Sequence, residues 1–298
     1  MRIATWNVNS LKARLEKVTW WLDRVKPDVL LMQETKLADA DAPVDAFRDA
    51  GYALVHHGEG RWNGVAIASR AGIQGVVTNF GEPLRPARTP DVGDDEPLAE
   101  ARMISADCGG VRVVCVYAPN GRVVDSPFYE AKLVWFGRLR RWLDEAVGKD
   151  AAVVLAGDLN VAPEDIDVWD PLACHGGTHV SERERQAFAR LCEWGLIDAY
   201  RLRHLESSRY TWWDYRAGNF YKNFGMRIDH LLVSAALAPR VVWADIDREA
   251  RKGKPTPSDH APLVVDIDEA GFAFDSGWSS ADARIASRQP RRPASRGV

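Results

Sequence analysis

Cysteine is scarce in this sequence, and the four residues present, Cys108, Cys115, Cys174 and Cys192, show no C-x-x-C spacing. Such usage argues against a disulfide framework and fits a reducing compartment, so we expect a cytoplasmic protein. Long apolar runs are also missing, because no stretch approaches the roughly 20 residues that a membrane helix needs. The N-terminus starts with a strand-like apolar run and not with a basic segment before a hydrophobic one. We therefore predict no membrane association.

An excess of positive charge is missing as well. The chain has 39 Lys and Arg against 42 Asp and Glu, a formal net charge of −3. Residues 271–298 hold five Arg and two Asp, so the remaining body keeps 34 basic and 40 acidic residues, a net of −6. Because DNA binding is normally driven by Lys and Arg on phosphates, composition alone does not favour a nucleic-acid partner. A carboxylate cluster around a metal is compatible with DNA binding if the basic residues are concentrated on one face.

The chain has the length and composition of a globular protein with a substantial core: 298 residues, 46% hydrophobic and 27% charged. No Pro/Gly/Ser-rich linker interrupts the first 269 residues, and suggestive motifs lie at both ends of that span. One large domain over residues 1–269 is the simplest interpretation, although two smaller domains would fit the length. Residues 270–298 are rich in Arg, Ser, Ala and Pro with little periodicity, which predicts a flexible tail.

Short β-rich runs alternate with amphipathic helical stretches, which predicts an α/β or α+β layered fold. The eight predicted strands cover residues 2–8, 28–33, 64–69, 103–108, 111–117, 151–156, 227–234 and 262–267. Helices are predicted over residues 11–25, from Ser126 to about residue 147, and from Ser181 to residue 195. Ser126 with Pro127, and Ser181 with Glu184, supply typical helix N-terminal residues.

Acid, amide or imidazole groups stand where several apolar runs begin or end. The set comprises Asn7, Asn9, Glu34, Asp158, Asn160, Asp229, Asp259 and His260. Side chains two apart in a strand share one face, which relates Asn7 to Asn9 and lets Asp158 and Asn160 point at one target. Phosphodiester cleavage needs such groups as hard ligands for Mg²⁺ or Mn²⁺, as a base for water, and as donors to the phosphate. Each motif alone is weak, because an Asp at a strand end is more often a turn residue or a helix cap.

The order of these motifs along the chain resembles one family. The motifs are T-W-N-V-N-S (5–10), Q-E-T-K (33–36), N-G-V-A (63–66), Y-A-P-N-G (117–121), G-D-L-N-V-A-P (157–163), W-D-Y-R (213–216), G-M-R-I-D-H (225–230) and P-S-D-H-A-P (257–262). Over residues 1–268 the sequence resembles the exonuclease III family of apurinic/apyrimidinic (AP) endonucleases, within the endonuclease/exonuclease/phosphatase superfamily. G-D-x-N and S-D-H mark the superfamily, and W-D-Y-R and G-M-R-I-D narrow the resemblance to its DNA-repair branch.

This resemblance implies a four-layer α/β sandwich, in which two packed β-sheets are flanked by helices and the active site lies at one edge. It implies a Mg²⁺-dependent hydrolase, with Mn²⁺ as a substitute, that cleaves DNA 5′ to abasic sites in base excision repair. It also implies 3′-to-5′ exonuclease and 3′-end-cleaning activity. The implied partner is double-stranded DNA with abasic sites or blocked 3′ ends, and we expect a monomer.

The resemblance also implies roles for individual residues. The implied metal-site residues are Asn7, Glu34, Asp158, Asn160, Asp259 and His260, with Glu34 as the main ligand. The implied catalytic residues are Tyr117, Asp158, Asn160, Asp229 and His260. Asp158 would orient or deprotonate the attacking water, and Tyr117, Asn160 and His260 would contact the phosphate. Asp229 would hold His260, since a carboxylate fixes an imidazole tautomer and favours its protonated form. A purely structural role for His260 stays open.

Substrate choice is expected in the aromatic stretch 209–224, which is flanked by Arg209, Arg216, Lys222 and Arg227. The resemblance implies that Trp212, Trp213 and Met226 form the pocket for the abasic sugar, with Asn120 and Arg216 as further DNA contacts. Trp213 and Met226 stand where other members can have Phe and Leu, which affects the width of the pocket. The alternative for the whole stretch is a strand with ordinary cross-strand aromatic pairs.

Three other features carry weaker alternatives. Cys174, His175 and His179 suggest zinc by residue type, but a closed zinc site needs four ligands and no second cluster is evident. The pair His56-His57 is interpreted as a surface or packing pair. The acidic run 91–100 is interpreted as a solvated loop, and Arg102 after it carries no motif of its own.

Two rival functions remain at this stage. One is another superfamily enzyme acting on a lipid or inositol phosphate or on RNA, which is favoured if segment 209–227 does not line a groove next to Glu34. The other is a catalytically silent DNA-binding module, for which replacement of Glu34 would change no turnover.

Overall fold

A computed structural model of the chain describes residues 1–82, 100–205 and 209–286. The acidic run 91–100, apart from Glu100, and residues 287–298 lie outside the described residues. Within the described ranges, no helix is both long and apolar enough to cross a membrane.

The strands of the described residues form two sheets of six. The first sheet has the order β11 (Val241–Ile246), β12 (Leu263–Ile267), β1 (Arg2–Asn7), β2 (Val29–Gln33), β4 (Val65–Ser69), β3 (Ala53–His57). The second has the order β5 (Gln74–Thr78), β6 (Met103–Cys108), β7 (Val111–Tyr117), β8 (Val153–Asp158), β10 (Asp229–Ser234), β9 (Leu196–Asp198). Strands β1 and β2 are parallel, as are β7 and β8, and the other neighbouring pairs are antiparallel.

The described helices lie between and after these strands. They are α1 (Leu11–Val25), α2 (Val44–Asp49), α3 (Pro127–Ala146), α4 (Pro171–Cys174), α5 (Glu182–Cys192), α6 (Ala199–Arg203), α7 (Asn219–Lys222) and α8 (Trp278–Ala286). The caps of the longer helices are the ones that the sequence indicates. Ser126 accepts a hydrogen bond from Tyr129 N at the start of α3, and Ser181 and Glu184 form a reciprocal capping box on α5.

The layers follow from alternation along the strands. Ile3 in β1 and Leu31 in β2 face the second sheet and pack with Val113 and Val154 in the core between the sheets. Their neighbours point the other way, so that Trp6 packs against Trp21 of α1 on the outer face of the first sheet. A third cluster joins the outer face of the second sheet to α3 and α5. The fold is therefore the four-layer α/β sandwich that the resemblance implied.

The first part of the predicted tail is packed against the sandwich. Phe274 packs against Trp243 with ring centroids 5.5 Å apart, and Trp278 at the start of α8 is only 2% exposed. Two well-placed aromatic side chains anchor the segment, and an average over a polar composition does not reveal such anchors.

Candidate active site

The predicted polar residues converge because of how the strands are paired. Parallel β1 and β2 end together at Asn7 and Gln33, and Glu34 follows at once. Parallel β7 and β8 end together at Tyr117 and Asp158. Antiparallel β10 begins at this same end, with Asp229 opposite Asp158. The edges of the two sheets thus carry their polar groups to one end of the sandwich.

The carboxylates of Glu34 and Asp158 share one amide donor. Asn7 Nδ2 donates to Glu34 Oε1 at 2.8 Å and to Asp158 Oδ2 at 2.9 Å, which links the first sheet to the second. Burial disfavours the ionised form of Glu34, but the charge of Lys36 and the hydrogen bond from Asn7 outweigh burial and lower the pKa of Glu34. Glu34 is therefore an ionised carboxylate in a protected position.

Lys36 and Asn9 extend this network to Asp259. Lys36 Nζ lies 2.8 Å from Glu34 Oε2 and 2.7 Å from Asn9 Oδ1. Asn9 Nδ2 in turn donates to Asp259 Oδ1 at 2.9 Å. The sequence analysis placed Asn9 among the polar groups at the strand ends but gave it no role, and it did not single out Lys36, although Lys36 closes the Q-E-T-K motif.

The backbone at this end of the sandwich adopts conformations that favour glycine. Glu34 has φ 51° and Asn160 has φ 52°, and both lie in the left-handed region. Non-glycine residues in that region cluster at functional sites, because the surrounding structure has to hold them there. Glycine itself is required before Asp158, since a Cβ at Gly157 would lie 1.8 Å from the carbonyl oxygen of Val116.

His260 lies between two carboxylates. Its Nδ1 is 2.8 Å from Asp229 Oδ2, and its Nε2 is 3.9 Å from Asp158 Oδ2. Burial would lower the pKa of His260, but the charge and hydrogen bond of Asp229, together with Asp158 and Asp259, raise the pKa of His260 above its usual value. Burial is also the main reason why the pKa of Asp158 is raised, with the charge of Asp229 next. His260 is therefore an imidazolium, and Asp158 is an unusually basic carboxyl group.

Tyr117 completes the wall of the site next to Glu34. Its hydroxyl is hydrogen-bonded to Glu34, and burial and the charge of Glu34 raise the pKa of Tyr117 well above 10. The guanidinium of Arg102 lies 4.7 Å from the Tyr117 ring centroid and is paired with Glu100. Arg102, which no motif marked in the sequence, thus supports a predicted site residue by stacking on its ring.

Asn160 is held through four of its atoms. Its backbone N–H donates to Asp158 Oδ1 at 2.9 Å, and its Nδ2 donates to the Ala118 carbonyl at 3.0 Å. Its Oδ1 accepts from Asn120 Nδ2 at 3.3 Å. The buried Lys132 donates to the Asn160 carbonyl at 2.7 Å from helix α3. Asn120 and Asn160, both predicted site residues, are therefore in direct contact.

Among the described residues, one group of acidic, His or Cys side chains has the geometry to hold a metal ion. It comprises Glu34, Asp158 and His260, whose ligand atoms all lie within 4.8 Å of one another. The zinc alternative gains no support, because His179 Nδ1 faces the Asn160 carbonyl at 2.7 Å and Cys174 packs against apolar side chains.

An apolar cluster, here called the Trp212 cluster, adjoins the polar network. It comprises Trp212, Met226, Ile228, Val168 and Ala162. Trp212 Nε1 donates to Asp259 Oδ2 at 3.1 Å, and Trp212 and Met226 are half-buried. Ile228 was not predicted, although it stands two positions after Met226 and so on the same face of an extended chain.

Trp213 does not belong to this cluster, and its prediction as a pocket residue is corrected here. Trp213 is 0% exposed, and its ring meets Phe220 edge-on at 5.2 Å in the core. Adjacent residues of an extended segment point to opposite sides, so Trp213 faces inward where Trp212 faces the site.

The basic residues around the aromatic stretch also differ from expectation. Arg227 is buried between Asp167 and Asp198, and Arg209 pairs with Asp245, so both guanidinium groups are committed to carboxylates of the protein. Arg216 has an 87% exposed side chain and pairs with its near neighbour Asp214. Of these three arginines, Arg216 is the one placed to meet a ligand.

The chain is similar to known proteins over most of its length. The profile of the endonuclease/exonuclease/phosphatase family matches residues 4–260. The exodeoxyribonuclease III of Haemophilus influenzae is 31% identical over 283 residues, which cover 90% of this chain and 100% of that protein. An AP endonuclease from Archaeoglobus fulgidus superposes with a TM-score of 0.82 at 38% identity, covering 90% of this chain and 100% of that one. The 3′ phosphatase NExo from Neisseria, solved with a product DNA hairpin, superposes with a TM-score of 0.80 at 40% identity and the same coverage.

Proposed function

The chain belongs to the endonuclease/exonuclease/phosphatase family, and from this premise we propose that it is a metal-dependent DNA repair nuclease that cleaves the backbone 5′ to abasic sites. The similarity to exodeoxyribonuclease III and to a 3′ phosphatase supports 3′-to-5′ exonuclease and 3′-end-cleaning activity at the same site. The observation that carries the proposal is the approach of Glu34, Asp158 and His260 to within 4.8 Å, beside the Trp212 cluster.

The donor set fits a divalent cation that prefers oxygen ligands, and we propose Mg²⁺, with Mn²⁺ as a substitute. Glu34 and Asp158 would hold it, with Asn7 and Asp259 beside them. When bound, the cation would polarise the phosphate and offset its developing negative charge. His260 is better suited to the phosphate than to the cation, because an imidazolium has no free nitrogen lone pair for a metal.

Asp158 is the proposed base for the attacking water. The Asn7 amide and the Asn160 N–H each fix one oxygen of Asp158, so its carboxylate is oriented in the site for the water. As the water gives its proton to Asp158, its oxygen bonds to phosphorus and the bond from phosphorus to the 3′-oxygen breaks. The products are a 3′-hydroxyl, formed by protonation of the leaving oxygen, and a 5′-phosphate on the abasic side.

Tyr117, Asn160 and His260 are the proposed donors to the phosphate oxygens. His260 contributes a charged donor, Tyr117 keeps its hydroxyl proton because its pKa is raised, and Asn160 contributes an amide. All three are fixed by protein partners before substrate arrives, which is the condition for electrostatic stabilisation of a transition state.

The Trp212 cluster is the proposed pocket for the abasic deoxyribose. A sugar without its base offers an apolar face of a size that Trp212, Met226 and Ile228 can cover, whereas an intact nucleotide carries a base as well. Asn120 and Arg216 are proposed to contact the DNA backbone on either side.

The rival substrates within the family are lipid or inositol phosphates and RNA. The discriminating feature was whether the aromatic and basic residues of segment 209–227 line a groove next to Glu34. Trp212 contacts Asp259, and Asp259 is joined to Glu34 through Asn9 and Lys36. This arrangement places the aromatic part of the segment beside the site, which supports DNA as the substrate. We further propose that the protein acts in the cytoplasm as a monomer.

The test is incubation with a duplex oligonucleotide that carries one abasic analogue, once with Mg²⁺ and once with a chelator. We expect a single cut 5′ to the analogue with Mg²⁺ and none with the chelator. Glu34→Ala should abolish the cut, whereas Glu269→Gln, on the exposed surface, should not change it. An uncut duplex under both conditions, or an active Glu34→Ala variant, would contradict the proposal.

A further inference from the structure

Residues 271–282, here called the C-terminal strap, lie beyond the part of the chain that the family profile matches. That profile ends at residue 260. The proposed function uses no residue of the strap, so the contacts of the strap need an explanation of their own.

The first half of the strap is fastened to the edge of the first sheet. Gly271 N–H donates to Asp266 Oδ2 at 2.7 Å, and Arg2 donates to the Phe272 carbonyl at 2.7 Å. Phe274 packs on Trp243 of β11, with the Arg2 guanidinium 5.2 Å from its ring. These contacts are made with β1, β12 and β11, on residues that the site does not use.

The second half of the strap enters the core. Trp278 is 2% exposed and donates from Nε1 to the Ile246 carbonyl at 2.6 Å. Its ring lies 6.3 Å from the ring of Trp213 and 5.0 Å from the guanidinium of Arg209. Arg209 is also paired with Asp282 of the strap at 3.3 Å. The strap therefore packs against both ends of the short segment 209–213.

That segment leads directly to the active site. Trp213 N–H donates to the Asp259 carbonyl at 3.1 Å, and Trp212 Nε1 donates to the Asp259 carboxylate at 3.1 Å. Trp212 also pairs through its backbone with Met226 in the Trp212 cluster. Any looseness in the position of Trp213 thus reaches both the pocket wall and a predicted metal-site residue.

We propose that Trp278 is a positioning residue, which packs behind Trp213 and thereby fixes Trp212 against Asp259 in the substrate pocket. The backbone hydrogen bonds to Asp259 and Met226 hold the segment from the site side, and the strap adds a second, buried support from behind. The inference rests on the proposed function for its kinetic consequence, but its structural part stands on the contacts alone.

The experiment compares four single variants of the full-length chain. Trp278→Ala and Trp278→Leu remove the support, Trp278→Phe keeps a ring against Trp213, and Phe274→Ala is the matched control in the same strap. We expect Trp278→Ala to raise KM for the abasic duplex by about tenfold with little change in kcat, because a displaced Trp212 weakens binding of the sugar equally in the ground state and the transition state. Trp278→Leu should be intermediate, and Trp278→Phe and Phe274→Ala should keep the original KM.

Amide hydrogen exchange gives a readout that does not depend on activity. In Trp278→Ala the amides of Trp212 and Trp213 should exchange faster, because their bonds to Met226 and Asp259 open more often. In Phe274→Ala the amides of Trp212 and Trp213 should exchange at the original rate, even if both variants lose the same thermal stability. If Trp278→Ala does not fold, Trp278→Leu carries the same test.

The outcomes separate the two proposals. Equal effects of Trp278→Ala and Phe274→Ala on KM and on these amides would overturn the positioning role, since the strap would then act on stability alone. A wild-type protein that leaves abasic DNA uncut would refute the proposed function, while the exchange experiment would still report on the strap.

Discussion

The imidazole of His260 owes its charge to Asp229. The two groups are 2.8 Å apart and buried, so replacing the carboxylate by an amide removes the partner that stabilises the imidazolium. We expect Asp229→Asn to lower kcat on abasic duplex by about 10²-fold, the usual effect of losing one charged donor to a transition state. KM should change little, because the sugar pocket is untouched.

Single-turnover kinetics at saturating protein would measure this loss. Asp268→Asn, an exposed carboxylate paired with Arg240, is the control and should be fully active. An Asp229→Asn variant with normal kcat would show that His260 makes no charged contact in the transition state.

Trp212 and Trp213 are neighbours in sequence with opposite expected effects. Trp213→Ala opens a cavity in the core and should cost about 3–5 kcal/mol in the free energy of unfolding. Trp212→Ala removes a half-buried side chain and should cost far less stability, but should raise KM for abasic duplex. Urea unfolding together with steady-state kinetics distinguishes the two, and equal losses of stability would contradict the assignment.

The polar residues of the site were predictable because their chemistry is tied to short motifs, whereas the direction of each aromatic side chain was not. Asn7, Glu34, Asp158 and His260 stand in motifs that the resemblance carried over position by position. The pair Trp212-Trp213 was assigned to the pocket as a unit, although alternation in an extended segment allows only one of them to face it. Lys36 was missed, and Asn9 was named without a role, because their roles depend on a contact that only the folded chain brings about.

At the scale of elements, the strands that sequence reasoning missed are the edges of the two sheets. All eight predicted strands are interior, and the four missed ones, β3, β5, β9 and β11, each end a sheet. Interior strands are covered on both faces and appear as continuous apolar runs, which composition reveals. Edge strands such as Gln74–Thr78 are largely exposed, and Leu196–Asp198 has only three residues, so neither gives a periodic signal.

The segment that carries Met226 and Ile228 is fixed by a buried arginine. Arg227 lies between them and extends to the opposite side, where it pairs with Asp167 and Asp198 at 2.6 Å each. Burial alone would raise the pKa of both carboxyl groups, but the charge and hydrogen bonds of Arg227, together with neighbouring basic groups, outweigh burial and lower the pKa of each. The ion pairs therefore stabilise the fold fully above the unfolded pKa of about 3.9, and this contribution is lost as the pH falls further.

Arg227→Met should lower the free energy of unfolding at pH 7 by about 3–5 kcal/mol, the usual result of removing one partner of a buried ion pair. The gap between wild type and variant should narrow as the pH falls below about 4, because the wild type then loses the same contribution. Urea unfolding at pH 7 and at pH 3 measures this difference in the free energy of unfolding. Arg240→Met, which removes an exposed arginine, should leave stability nearly unchanged, and a gap independent of pH would refute the argument.

At the scale of the whole molecule, neither sheet holds a complete site. The first sheet supplies Asn7 and, after β2, Glu34, and the second supplies Tyr117, Asp158 and Asp229. The core between the sheets fixes the distance between these two halves, which is why residues 7 to 260 must fold as one unit before the carboxylates meet. The site therefore depends on packing far from it. A single sequence motif indicates only the site residues of the sheet to which the motif belongs.

The negative net charge of the chain disfavours DNA binding, whereas its last residues are positively charged and favour it. Residues 287–298 carry four arginines, Arg288, Arg291, Arg292 and Arg296, and no acid, against a body of net charge −6. We propose that they contact phosphates, so deleting residues 287–298 should weaken binding to duplex DNA at low salt. If all four arginines contact phosphates, the slope of log affinity against log salt concentration should become less steep by about 3.6.

Turnover of the shortened chain at saturating substrate should not change, because the site and the strap are retained. Fluorescence anisotropy from 50 to 200 mM salt measures the slope. A variant with all four arginines changed to Gln controls for the loss of chain length, and an unchanged slope in both would show that the terminal arginines do not touch DNA.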